Sequence, residues 1–130
     1  MPPERRPELL LVDIIERAEA TLSAVKGLDE AGLRESDLHR SAMLWSLSII
    51  GGAARRLPLE FCDAHTEVPW TRMIGFRNVV LHACEHIEAS ILWATIGQVR
   101  DVRDALLTIL RSEFPLVAEA VAQRAAEEPS

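Results

Sequence analysis

The chain has 130 residues, of which 48% are hydrophobic and 26% are charged, and its net charge at pH 7 is −6. This length suits one domain with a real core and is too short for two, so we expect a single domain over residues 1–130 with its core in 9–125. The acidic total excludes a protein that coats nucleic acid through clustered cations. An enzyme that holds one or two phosphates locally remains compatible with it.

The cysteine content and the lengths of the apolar stretches indicate the cellular compartment in which we expect the protein. Cys62 and Cys84 are too few for a disulfide framework. The longest nearly uncharged stretch, residues 41–54, is shorter than the roughly 18 residues that a membrane span requires. We therefore expect a reduced, cytoplasmic protein that does not enter a membrane.

The first half of the chain shows helical periodicity. Apolar residues recur at three- and four-residue steps and predict a helix over 8–26 that Gly27 ends, followed by a charged connector over 28–36. Ser36 is a good N-cap for a second helix that runs to Arg56. Its predicted core face is Leu38, Ala42, Trp45, Ile49 and Ala53. The adjacent glycines Gly51 and Gly52 predict that another backbone lies close against this helix.

The second half continues in the same way. A short helical turn or loop over 58–67 precedes a third helix that starts at Pro69 and is apolar around much of its circumference. Further helices are predicted over 87–96 and 99–110, and a last short helix over 116–125 follows Pro115. No segment alternates with the period of a strand. The sequence predicts an all-α, single-domain bundle of about five helices.

The third helix carries the polar residues that are most able to do chemistry. Arg77 is followed directly by Asn78 and, five residues after Arg77, by His82. A histidine can transfer protons near neutral pH, and an arginine can hold a phosphate. Five helical steps place Arg77 and His82 about 140° apart around the axis, so they do not share a face. From spacing alone, a surface arginine and a hydrogen-bonded histidine are the more frequent outcome.

A second pattern begins at the same histidine. Residues 82–86, His-Ala-Cys-Glu-His, match the H-x-x-E-H signature of one class of zinc peptidases. Such a site needs a third protein ligand, and none of the downstream carboxylates stands out. A chance match is favoured, and we expect no metal and no cofactor.

Other residues with possible functional roles have more ordinary interpretations. A solvated mosaic of arginines and carboxylates is favoured over an RNA-binding surface for Arg40, Arg55, Arg56, Arg72, Arg100 and Arg103. The three tryptophans, Trp45, Trp70 and Trp93, are interpreted as core residues. His39 and His65 have no partner at a suggestive spacing and are interpreted as surface residues.

Residues 9–110 resemble the HepT-like branch of the HEPN superfamily. The most specific segment is 68–78, Val-Pro-Trp-Thr-Arg-Met-Ile-Gly-Phe-Arg-Asn, which leads into an Arg-x4-His motif completed by His82. Residues 47–54, Leu-Ser-Ile-Ile-Gly-Gly-Ala-Ala, resemble the second-helix signature of that family, and residues 11–14 and Trp93 fit its first and fourth helices.

The resemblance implies a metal-independent endoribonuclease that acts as the toxin of a toxin–antitoxin pair. It implies a homodimer whose interface holds a composite site, with Arg77 and His82 as catalytic residues and Asn78 as a supporting residue. The implied partners are RNA and an antitoxin of the MNT type, a minimal nucleotidyltransferase.

Two positions depart from the family pattern. Cys84 stands where relatives often have a tyrosine that accepts AMP from the antitoxin, and this chain has no tyrosine. Gly52 stands where the second-helix signature has a glutamate. These departures support an alternative function, a catalytically silent helical subunit that binds a nucleotidyltransferase.

Overall fold

The computed structural model describes residues 6–82 and 89–127, with residues 79, 81 and 82 described in their backbone only. These ranges contain helices and no strand, which confirms the predicted all-α class. The helices are α1 (Pro7–Ala24), α2 (Glu30–Glu35), α3 (Asp37–Arg55), α4 (Leu59–Ala64), α5 (Trp70–His82), α6 (Ala89–Glu113) and α7 (Pro115–Glu127). None of them combines the length and apolar character needed to cross a bilayer.

Local sequence cues begin and end the first helices as predicted, with one addition. Gly27 has a φ of 84° in the turn after α1, a conformation that glycine adopts readily. The Ser36 side chain accepts a hydrogen bond from the His39 backbone N–H at 3.2 Å and caps α3. The predicted connector over 28–36 contains the short helix α2, because Asp29 caps it (2.7 Å to the Gly32 N–H) and Leu33 is fully buried.

From Ala89 onwards, the helices predicted over 87–96 and 99–110 form one continuous helix, α6, and the prediction of two was wrong. Gly97 lies at the predicted break and costs only about 1 kcal/mol relative to alanine within a helix. Burial of Ile96 and Val99 on either side continues the apolar face through this point. Tertiary packing therefore outweighs the local propensity.

The core is organised around α1 and α3, which pack against each other. The helix α5 also packs on α3, and α6 packs on α1, while α7 lies against α6. Fully buried aliphatic side chains from α1, α3, α5 and α6 fill the interior, including Leu11, Ile14, Leu47, Met73 and Leu106.

The predicted core face of α3 is largely on the surface, so that prediction was wrong. Leu38 is 77% exposed and Trp45 is 64% exposed. The face that packs on α1 and α5 instead carries Met43, Leu47 and Ile50. Both stripes have helical spacing, so periodicity alone could not choose between them. Trp70 is buried as predicted, and Trp93 is half-buried.

His65 is buried, which corrects its interpretation as a surface residue. Its Nδ1 lies 2.8 Å from the Phe61 carbonyl oxygen, and its Nε2 contacts the Glu113 carboxylate at the end of α6. Both partners are acceptors only, so both bonds form when the ring carries two protons. Burial alone would lower the pKa of His65, but the Phe61 carbonyl and Glu113 together raise it, with a further contribution from Glu67. His39 is half-buried beside the Ser36 hydroxyl.

Gly51 confirms the expected close approach of another backbone. A Cβ built on Gly51 would lie 3.0 Å from the Met73 carbonyl oxygen and 3.4 Å from the Arg77 backbone nitrogen, both in α5. A Cβ on Gly52 would meet nothing within 4 Å. Only Gly51 is therefore required for the contact between α3 and α5.

We predict that Glu113→Gln reduces stability in a pH-dependent way. The raised pKa of His65 means that its ion pair stabilises the fold fully below the unfolded pKa of about 6.5 and loses this contribution as pH rises through the folded pKa. Chemical denaturation should show that the free energy of unfolding of the variant falls by about 1 kcal/mol near pH 6. This loss is modest because the Glu113 side chain is 45% exposed, and it should become smaller towards pH 8. Glu119→Gln on the exposed face of α7 is the control. An equal loss at both pH values would contradict the ion pair.

We predict opposite effects for alanine at the two adjacent glycines. Gly52→Ala should raise the free energy of unfolding by about 1 kcal/mol, because alanine favours a helix and the space is open. Gly51→Ala should lower it by about 1–3 kcal/mol, because helical backbone on both sides cannot yield easily. Urea unfolding of the two variants measures the difference, and equal effects would show that α3 and α5 are not held this closely.

Candidate active site

The helix α5 is fixed against α3 by one buried face. Met73 and Phe76 are almost fully buried, and Trp70 donates an Nε1 hydrogen bond to the His65 carbonyl oxygen at 2.8 Å. Together with the missing side chain at Gly51, these contacts set the depth and rotation of α5 on the bundle. The same contacts place Arg77, one residue after Phe76, at the surface beside α3.

Arg77 is exposed and its guanidinium has no ion-pair partner among the described residues. Five other arginines in the described ranges do contact a carboxylate: Arg6, Arg34, Arg40, Arg103 and Arg124. An unpaired, solvent-accessible guanidinium keeps its donors available for an anionic ligand. Arg77 is therefore in a state suited to binding a phosphate.

His82 is the last residue of α5, and its side chain lies outside the described residues. Because α5 is unbroken from Trp70 to His82, the helix does not change course between Arg77 and His82, and the two positions remain about 140° apart. Asn78 lies four residues before His82 and therefore shares a face with it. Asn78 is exposed, and so is Thr71, which lies about two helical turns earlier on the same face.

The face shared by Asn78 and His82 is a feature beyond the predicted Arg-x4-His motif. Its signal in the sequence is the i, i+4 spacing of the two residues. The amide of Asn78 can both donate and accept hydrogen bonds. Among the described residues of one chain, Asn78 is the polar residue on this face that lies within about one turn of His82, whereas Arg77 lies towards α3.

Cys84 and the second histidine of the H-x-x-E-H pattern, His86, lie outside the described residues. The zinc interpretation therefore stays a prediction without a structural answer. In the ranges that are described, no three His, Cys, Asp or Glu side chains form a group able to hold a metal ion.

Gly52 does not lie against Arg77. It lines a groove of about 790 Å³ between α1, α3 and α7, together with Arg56 and Arg124. The neighbouring Gly51, and not Gly52, faces α5. Within one chain, a glutamate at position 52 would thus point into this groove, away from the surface that carries Arg77, and its absence leaves the position of Arg77 unchanged.

The chain is similar to proteins of one family. The profile of the family described as "Ribonuclease HepT-like" matches residues 13–109, from α1 to the last turns of α6. A protein of Caldanaerobacter subterraneus subsp. tengcongensis that is named as an RNase is 29% identical over 84% of this chain and 98% of its own length. One of Methanocaldococcus jannaschii, also named as an RNase, is 30% identical over 73% of this chain and 87% of its own length.

A shorter match adds a relative with a more specific name. A protein of Thermococcus cleftensis named as the ribonuclease HepT is 34% identical over 44% of this chain and 52% of its own length. No solved structure gives a significant match. The profile covers most of the chain and includes α5 with the Arg77–His82 segment. The chain therefore belongs to the ribonuclease HepT-like family.

Proposed function

We propose that this protein is a metal-independent endoribonuclease that cleaves RNA with Arg77 and His82. The observation that carries the proposal is the exposed guanidinium of Arg77, which has no ion-pair partner in the described part of the chain and lies on the same unbroken helix as His82. Membership of a ribonuclease family supports the reaction class. Asn78, on the face shared with His82, is proposed as a supporting residue.

The proposed reaction uses the 2′-hydroxyl of the substrate as the nucleophile. A base removes the 2′ proton, the 2′ oxygen forms a bond to the adjacent phosphorus, and the bond to the 5′ oxygen breaks, which leaves a 2′,3′-cyclic phosphate. An acid returns a proton to the leaving 5′ oxygen. Negative charge on the phosphorane requires a fixed cation. This role suits Arg77, because its guanidinium is planar and its donors are not used by any described residue.

We propose that two copies of the chain form the complete site. One chain offers a single histidine at this position, whereas the reaction needs a base and an acid. A twofold axis beside α5 would bring two copies of His82 and two of Arg77 to one cleft. The exposure of Thr71, Ile74 and Asn78 on a single chain leaves this side of α5 open to a partner. The 140° separation on one helix is then no obstacle, because each group serves a shared cleft.

We further propose the role of toxin in a toxin–antitoxin pair with a minimal nucleotidyltransferase as antitoxin. The chain has no tyrosine, so transfer of AMP to a tyrosine cannot silence it. Cys84 occupies that position in the family pattern. Neutralisation would instead use another acceptor residue or direct occlusion of the cleft by the partner.

The alternative is a silent helical subunit of a nucleotidyltransferase. Two sequence departures suggested it, Gly52 and Cys84. Within one chain position 52 faces away from Arg77, which is an argument against a role of Gly52 in positioning Arg77. The cysteine at position 84 is the remaining argument. Cleavage of RNA by the pure protein separates the two functions.

We predict that His82→Ala abolishes RNA cleavage and growth toxicity without unfolding the protein. Arg77→Ala should lower the cleavage rate by about 10²–10³, the usual cost of losing one group that stabilises transition-state charge. Cleavage of a defined RNA is measured with a chelator present, and Arg111→Ala, an exposed arginine on the last turn of α6, is the matched control.

Each other outcome points to a different function. Wild-type cleavage by His82→Ala would remove the site assignment. Absence of cleavage by the wild-type protein would support the silent subunit. Stoichiometric zinc, together with loss of activity in the chelator, would revive the H-x-x-E-H interpretation.

A further inference from the structure

His65 lies where three helices meet, and its backbone and its ring make contacts in different directions. It follows α4 directly, and its carbonyl oxygen accepts hydrogen bonds from the Val68 backbone N–H at 3.2 Å and from the Trp70 indole N–H at 2.8 Å. Its ring contacts the Phe61 carbonyl oxygen within α4 and the Glu113 carboxylate at the end of α6. One residue therefore joins α4, the start of α5 and the end of α6.

The helix α4 depends on this junction because it buries little of its own surface. None of its residues, Leu59–Ala64, is buried, and Phe61 is half-buried with its ring packed against the His65 ring at a centroid distance of 4.3 Å. A segment with little buried apolar area opens locally at a small free-energy cost. The helix α5 is also held in the core by Met73 and Phe76, so α4 can detach while the rest of the bundle stays folded.

The two ring contacts of His65 form together in only one protonation state. Both partners are acceptors, so each ring nitrogen must carry a proton. A neutral ring has a single N–H, and its other nitrogen would direct a lone pair at an oxygen of Phe61 or Glu113, which is repulsive. The Phe61 contact lies within α4, whereas the Glu113 side chain is 45% exposed and can turn to water. Loss of the proton therefore breaks the contact with Glu113.

The charges around the ring favour its protonated form. Among the described residues, the charged groups that act on it are Glu113 of α6 and Glu67 of the segment between α4 and α5, while α5 contributes the uncharged Trp70 indole. Burial lowers the pKa of His65, but the Phe61 carbonyl and the two carboxylates outweigh burial and raise it above the ordinary value of about 6.5. The contact with Glu113 is thus complete below about pH 6.5 and is lost as the pH rises through the folded pKa.

We propose that His65 and Glu113 form a proton-controlled latch, which holds α4 against the end of α6 and releases it when the ring loses its proton. The latch goes beyond the proposed function and does not depend on it, because it lies outside the Arg77–His82 segment. Residues of α4, among them Leu59, form one wall of a cleft of about 900 Å³ whose floor includes Trp70. The latch therefore controls the shape of this cleft and the restraint on the start of α5.

The test follows the wild-type protein by NMR spectroscopy between about pH 5.5 and about pH 9, a range that brackets the ordinary histidine pKa. Ring resonances of His65 report its protonation, and the indole N–H resonance of Trp70 reports the start of α5. We expect both to change with one midpoint above about 6.5. The hydrogen-exchange protection factors of α4 should fall about fivefold across this midpoint, whereas those of the buried part of α1 should not.

Two substitutions separate the latch from the ordinary titration of a histidine. Glu113→Gln places an amide opposite Nε2 that can accept from the charged ring or donate to the neutral one, so the changes at Trp70 and α4 should no longer depend on pH. Glu67 acts on the ring through its charge, so Glu67→Gln should keep the transition and move its midpoint to lower pH. Glu119→Gln, on the exposed face of α7, is the control and should leave the midpoint unchanged.

Several results would overturn the latch. They are a His65 midpoint at or below about 6.5, a Trp70 resonance or α4 protection that does not follow this midpoint, and an unchanged transition in Glu113→Gln. Equal loss of protection in α1 would also overturn it, because the latch predicts local opening and not global unfolding. RNA cleavage that depends on His82 can succeed or fail independently of these results, because no probe of the latch requires cleavage.

Discussion

The close contact between α3 and α5 at Gly51 is the constraint on which the candidate site depends. The absence of a side chain lets the backbone of α5 from Met73 to Arg77 lie directly against α3. A larger residue would push the helices apart, because neither helical backbone can deform cheaply. The depth at which α5 sits determines that Phe76 is buried while Arg77 and Asn78 reach solvent. The contact at Gly51 in the core thus determines which polar side chains of α5 are accessible at the surface.

The start of α5 is held by a second set of contacts. His65 connects the end of α4 to Glu113 at the end of α6, and its carbonyl oxygen accepts the indole hydrogen bond of Trp70. These bonds join segments that are far apart in sequence and anchor the first residue of α5. The stability of this junction and the position of the start of α5 are therefore coupled.

The distribution of charge explains how an acidic protein can act on RNA. Several surface arginines form ion pairs with neighbouring carboxylates, as Arg34 does with Glu30 and Arg124 with Glu16. Arg55, Arg72 and Arg77 are exposed and contact no carboxylate among the described residues. The net charge describes the whole molecule, whereas a phosphate responds mainly to charges within a Debye length of about 8–10 Å. One guanidinium without a carboxylate partner, such as that of Arg77, is therefore suited to hold a phosphate even in a protein of negative net charge.

The helical class and the caps at Asp29 and Ser36 follow from local chemistry, since capping and periodicity act over a few residues. The close approach at Gly51 was also predictable, because adjacent glycines inside a helix are costly unless another backbone needs the space. The Arg-x4-His motif of Arg77 and His82 is readable directly from the sequence, and it lies within the residues that the family profile matches.

Other features depended on contacts between distant residues. Which apolar stripe of α3 is buried was decided by where α1 and α5 pack, and this left Trp45 on the surface. The burial of His65 required Glu113, 48 residues away, and the continuity of α6 required a core face that Gly97 does not interrupt. Local sequence thus determined which segments are helical and which residues can act chemically. Only the tertiary structure decided which faces are buried and which arginines remain unpaired, because both depend on neighbours that are remote in the chain.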